Sequence, residues 1–190
     1  MGSEETVSGG GSTKERTAEY AERLVRLIEE NRFSSMFDAP CGDLNWITDV
    51  IDRTGIEYSG GDVSQLAIDA ALERRPSATV RLFDIRNDPF PVADVWHCRD
   101  CLFHLSYDDG LAALKNFARS TIPNALITTN TARWMPNMDI KTGGWRALDL
   151  QRAPFNLPKP RLKIKDYPAN IEFPRYVAWW TRSEIAAAVL

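Results

Sequence analysis

From residue 35 to residue 129, short apolar runs alternate with amphipathic stretches of roughly ten residues, and the first three runs each meet an aspartate at their far end. The runs lie at 35–40, 56–62, 78–83, 92–97 and 125–129, and the amphipathic stretches between them include 45–53, 63–74 and 108–120. Apolar runs this short read as strands buried on both faces, whereas a 3.6-residue period reads as helix. Strands separated by helices require right-handed crossovers, so an α/β fold with a mostly parallel sheet is expected. Pro76 marks the end of the helix over 63–74, because proline lacks the amide that helix needs.

At either end the pattern changes. Residues 14–31 put Leu24, Leu27 and Ile28 on one face of a helix, with Ser12 and Thr13 as a start signal. Residues 131–160 are rich in Pro, Gly, Asn, Trp and Arg without a clear period, the composition of a functional insert. Strands at 161–166 and 176–180 form an expected antiparallel hairpin, followed by a helix over 181–190 capped by Thr181. Trp179 and Trp180 point to opposite faces of their strand. The reading is one domain over 1–190 with helices on both faces of a seven-stranded sheet.

Charge and cysteine content narrow the function. A formal charge of -3 disfavours nucleic acid as a partner, since phosphate binding needs a basic field. Lys159, Arg161, Lys163 and Lys165 recur with a period of two, the solvent face of a strand. No run reaches the ~20 apolar residues of a membrane span. Residues 1–13 are acidic and glycine-rich, unlike a signal peptide, so a cytoplasmic location is expected. Cys98 and Cys101 form a CxxC between His97 and His104, but no second ligand pair exists, so no metal is expected.

Open parallel sheets bind ligands beyond the carboxyl ends of their strands. Asp38, Asp62 and Asp84 fall at three such ends, and Asp38 leads into the tight turn Ala39-Pro40-Cys41-Gly42. Small residues there let backbone amides approach a ligand. Asp62 is placed to accept from two ribose hydroxyls, and Asp84 with Ile85 to receive an adenine. Each aspartate alone also fits a helix cap. The turn keeps a single glycine, Gly42, with Pro40 and Leu44 on either side, whereas the nicotinamide-binding G-x-G-x-x-G needs all its glycines, which argues against a dinucleotide oxidoreductase.

These segments resemble a known family. FDAPCGDLNW is similar to motif I of class I S-adenosylmethionine-dependent methyltransferases, YSGGDVS to motif II, LFDIRNDPFP to motif III and ADVWHCRDCLFHLS to motif IV. SGGGST, NMDIKTGGWRALDL and RAPFNLPKP further resemble a bacterial methyltransferase-domain family often encoded with glycan and secondary-metabolite genes. The resemblance implies a Rossmann-like fold with S-adenosylmethionine as cofactor. It implies that Asp38, Pro40, Cys41 and Gly42 lie near the methionine part, Asp62 and Val63 at the ribose, and Asp84 and Ile85 at the adenine. Arg99 would face the carboxylate or the methyl-transfer centre, and the segment 1–13 is either a cover over the cofactor or a leader.

Methyl transfer to a hydroxyl benefits from a general base. Asp100 and His104, four apart, would share a helix face and give a carboxylate-oriented imidazole. His104 can equally be a packed histidine. On the acceptor side stand Asn130, Arg133, Trp134, Asp139, Lys141, Trp145, Arg146 and Asn156. Arg146 suits an anion or sugar and Trp145 a flat apolar face, although Trp145, Leu148 and Phe155 could instead anchor the insert. The expected reaction methylates an O or N atom of a small polar acceptor, a sugar or secondary metabolite, by a monomer or homodimer. A protein acceptor and a non-catalytic cofactor-binding module are the alternatives.

Overall fold

The computed structural model describes residues 5–131, 135–166 and 174–190. Its strands are β1 (Ser35–Asp38), β2 (Glu57–Asp62), β3 (Thr79–Leu82), β4 (Val95–Cys98), β5 (Asn124–Asn130), β6 (Leu162–Lys165) and β7 (Arg175–Thr181). The helices are α1 (Lys14–Asn31), α2 (Ile47–Thr54), α3 (Gln65–Arg74), α4 (Tyr107–Ala118) and α5 (Arg182–Val189). One sheet takes the order β3-β2-β1-β4-β5-β7-β6. β1 to β5 pair in parallel, and β7 runs antiparallel to both β5 and β6. The mostly parallel seven-stranded sheet with a closing hairpin is therefore as expected.

Alternation along the strands divides the interior into two cores. Met36, Val95, Leu126 and Val177 face a core shared with residues of α1, α2 and α3. Phe37, Trp96, Ile127 and Ala178 face a second one shared with α4 and α5. Trp180 is fully buried, while Trp179 packs partly exposed at the edge of the first core. Thr181 caps α5 in a full capping box with Glu184.

Element starts shift where a polar side chain is engaged. Asn45 stays outside α2 because its amide donates to Glu5 Oε1 and the Ser12 carbonyl. Ser64 caps α3, so that helix starts two residues later than its apolar period. At α1 the Thr13 side chain makes no capping bond, and Glu5 Oε1 accepts from Lys14 N instead. β4 begins at Val95 because the Asp94 carboxylate accepts from Ser34 Oγ, Ser34 N and Ser35 N.

Those donors, the Ser34 hydroxyl foremost, hold the Asp94 carboxyl below its unfolded value of 3.8. A carboxylate with a lowered folded pKa adds stability above its unfolded pKa, and that stability is lost as pH falls through the folded one. Asp94→Asn is expected to lower stability near neutrality by about 1 kcal/mol, with the difference shrinking toward pH 3. Melting curves recorded from pH 3 to 7 check this; a gap that does not narrow at low pH would dissociate Asp94 from the acid limb.

Candidate active site

Beyond the carboxyl ends of β1, β2 and β4 opens a cleft of about 180 Å³, lined in part by Asp38, Asp62, His97 and Arg99. The turn after β1 forms one wall with Pro40, Cys41 and Gly42. Gly42 has φ +56°, and a side chain there would run into Ser8 Oγ. Leu44 adopts a left-handed backbone at φ +58° while fully buried, so it takes a conformation that glycine holds at less cost. The turn thus keeps a glycine-like backbone at Leu44.

Asp62 ends β2 facing the cleft. Its Oδ2 accepts from Gly42 N at 3.0 Å and its Oδ1 from Ser64 N at 2.9 Å. A carboxylate has roughly four acceptor positions, so capacity for two further donors remains. Burial pushes its carboxyl up, against the opposing pull of these amides. Cys41 also lines the cleft, but burial raises its thiol pKa strongly; a thiol held protonated is a poor nucleophile.

Asp38 is committed beneath the cleft. Its Oδ1 meets His97 Nδ1 at 2.6 Å, and its Oδ2 accepts the Tyr58 hydroxyl at 2.8 Å. Asp38 and His97 are register partners on β1 and β4. The ring's Nε2 lies 2.9 Å from the Tyr20 hydroxyl, so both ring nitrogens are engaged. Burial holds Tyr20 and Tyr58 far above the ordinary phenol pKa, so both remain donors.

At the exit of β4 lies a buried ionic quartet. Asp166 Oδ1 accepts from Arg99 Nε at 3.0 Å, and its Oδ2 is 3.3 Å from Arg175 Nε. Arg175 Nη1 reaches Asp100 Oδ1 at 3.0 Å, and Arg99 Nη1 stands 3.6 Å from Asp100 Oδ2. Burial alone would lower the Arg99 pKa, but Asp100 and Asp166 outweigh it and raise the guanidinium above its usual value. The cation also stacks over Trp46 at 5.3 Å and Tyr20 at 5.7 Å. Asp100 sits at φ +56° with its amide donating to Thr128 Oγ1.

The chain before α1 walls the cleft's other side with Ser8 and Ser12. Asp43 accepts from Thr6 Oγ1, Ser8 Oγ and Val7 N, and Arg99 Nη2 donates to the Gly11 carbonyl. From residue 5 onward this segment lies along the cleft, tied to Asp43 and Arg99.

The structure gathers Asp38, Pro40, Cys41, Gly42, Asp62, Arg99 and Asp100 at one cleft. Asp84, Ile85 and Val63 stand apart. Both Asp84 oxygens are taken by Arg86, with Asn87 adding to Oδ2; Ile85 is buried in a core and Val63 is exposed. The expected Asp100–His104 pair does not form. Positive φ at Asp100 breaks the helical period, and only a 3-10 turn, Leu102–His104, follows. His104 Nδ1 instead bonds the Gly144 carbonyl of the insert at 2.6 Å. Asn130 Oδ1 accepts from Leu148 N, fixing the insert to β5. Leu148 and Phe155 are the buried anchors, while Trp145 is 57% exposed. Arg133 and Trp134 lie outside the described residues. Sequence reasoning did not single out Trp46, Tyr20, Asp166 or Arg175, and weighed His97 only as a metal ligand.

No protein-family model matches the sequence, and no curated protein sequence matches it. Solved structures do resemble it in fold. The mitomycin 7-O-methyltransferase MmcR superposes with a TM-score of 0.64 at 15% identity over 85% of this chain and 52% of that one. Magnesium protoporphyrin IX methyltransferase from Synechocystis PCC 6803, solved with bound SAH, gives 0.62 at 10% identity over 86% and 82%. The methyltransferase domain of bacterial CtHen1 gives 0.61 at 15% identity over 86% and 97%. This chain spans about half the length of the mitomycin enzyme and nearly all of the CtHen1 domain. The α/β sheet, its strand order and its closing hairpin make the fold of this chain that of Rossmann-like methyltransferases.

Proposed function

We propose that the chain transfers a methyl group from S-adenosylmethionine to an O or N atom of a small polar acceptor, a sugar or secondary metabolite. The observation that carries this reading is Asp62. A carboxylate at the end of β2, oriented by two backbone amides and facing a cleft under the first loop, suits a vicinal diol. The retained glycine-like turn over Gly42 and Leu44 supports it, because it keeps the backbone low beside the cleft. The likeness to the porphyrin and mitomycin enzymes supports small acceptors.

Bound S-adenosylmethionine supplies a methyl carbon already activated by its sulfonium. The residues' work is then alignment and exclusion of water. Asp62 holds the ribose hydroxyls; the turn 40–42 and the Ser8–Ser12 cover enclose the amino-acid end. Asp38, His97 and Tyr20 form a buried chain that fixes the ends of β1 and β4 beneath it. Asp100, at the rim, is the carboxylate positioned to take a proton from the acceptor. His97 has both ring nitrogens engaged and offers neither. His104 bonds the insert and serves to hold it. Asp84, its charge met by Arg86, shapes the loop after β3 rather than receiving an adenine amino group.

Calorimetric titration with S-adenosylmethionine, S-adenosylhomocysteine and NAD tests the reading. Binding of the adenosyl ligands and not of NAD is expected, and Asp62→Ala should weaken it by about 1–3 kcal/mol, the cost of hydrogen bonds to a charged group. No heat with either adenosyl ligand would overturn the cofactor assignment, and full affinity in Asp62→Ala would remove Asp62 from the ribose site.

A further inference from the structure

Arg146 is 5% exposed, yet none of its three guanidinium nitrogens has a hydrogen-bond partner. The carboxylate beside it, Asp139, keeps Oδ1 3.7 Å from Nη1, and that oxygen already accepts from Tyr107 N and Ile140 N. The Tyr107 ring covers one face of the guanidinium, 4.9 Å from Cζ. Burial lowers its pKa from the usual guanidinium value. The backbone is fixed: Arg146 N donates to the Phe103 carbonyl. The Phe103 ring in turn carries the Arg175 cation at 5.5 Å, and Arg175 meets Asp100 at the cleft rim. Arg146 is thus linked to the cleft rim through Phe103 and Arg175, on the insert's side.

A buried guanidinium short of its hydrogen bonds destabilises the fold that holds it until a partner completes it. Its flat face is occupied by Tyr107, and its edges present the planar fork that pairs with two oxygens of an oxyanion. We propose that Arg146 binds an anionic group, a carboxylate or phosphate, carried by the methyl acceptor. This rests on the methyl-transfer reading for the identity of the ligand as acceptor, and it narrows that acceptor to an acidic one. The anion site itself is independent of the cofactor.

The test is thermal unfolding of the wild type, Arg146→Met and Arg146→Lys in an oxyanion-free chloride buffer of fixed ionic strength. Inorganic phosphate and acetate are titrated in separate arms. One of the two anions is expected to raise the wild-type melting temperature by about 5–10 °C at a hundredfold excess over its Kd. The rise should be smaller in the lysine variant and absent in the methionine variant. Without anion, Arg146→Met should melt no lower than the wild type, because an unmatched buried charge is gone. A phosphate response assigns a phosphorylated acceptor and an acetate response a carboxylated one. Shifts that are absent, or equal in all three proteins, overturn the proposal, as does a clearly less stable methionine variant. S-adenosylhomocysteine calorimetry on the same samples separates the two readings: its failure in the wild type sinks the cofactor assignment and leaves the anion result standing.

Discussion

Asp166→Ala is expected to lower the melting temperature by about 6–20 °C, from a loss of about 3–5 kcal/mol for breaking a buried ion pair at 2–4 °C per kcal/mol in a chain of this size. Asp166 is 2% exposed and stands between Arg99 and Arg175. Its removal leaves two buried guanidinium groups facing Asp100 alone. The effect comes from stranded charge more than from lost attraction. Arg99→Met combined with Asp166→Leu should therefore recover much of the stability that Asp166→Ala loses. Calorimetric melting of the single and double variants decides it. A drop under ~1 kcal/mol for Asp166→Ala would mean that solvent reaches the quartet and that its members are not interdependent.

The second large effect is on turnover. Asp100→Asn is expected to slow methyl transfer by ~10²-fold or more, the contribution typical of a positioned general base. Affinity for S-adenosylhomocysteine should stay within a few fold. The amide preserves size and can occupy the same φ of +56°, a conformation asparagine tolerates, but it cannot take a proton. His104→Ala, which removes only a bond to Gly144, should cost less than tenfold. If His104→Ala carries the larger loss, the base is His104 and Asp100 only orients Arg175.

The sheet between residues 35 and 129 was legible because burial on both faces enforces apolar runs whose length and spacing survive in one dimension. Asp62 was legible for a related reason: its place at a strand end follows from the strand alone. The quartet was not, because Arg99 and Asp166 are 67 positions apart and meet only through the hairpin. Tyr20 and His97 are 77 apart, joined by the packing of α1 on the sheet. One signal for His97 did exist, an acid and a histidine at the ends of the first and fourth strands. Using it required the knowledge that β1 and β4 are neighbours. His104 misled because an i,i+4 spacing has meaning only in a helix, and one left-handed residue at Asp100 abolished the helix.

Asp43 follows directly on the glycine of the cleft turn and binds Thr6, Val7 and Ser8 at once. This segment cannot peel away one bond at a time without leaving a nearly fully buried carboxylate short of donors. Detachment is thus closer to a single cooperative event than to fraying. On the methyl-transfer proposal, a ligand held there acquires a dwell time set by residues 6–11. Variation in Thr6 or Ser8 would change how long a spent cofactor stays without altering any group that touches the transferred methyl.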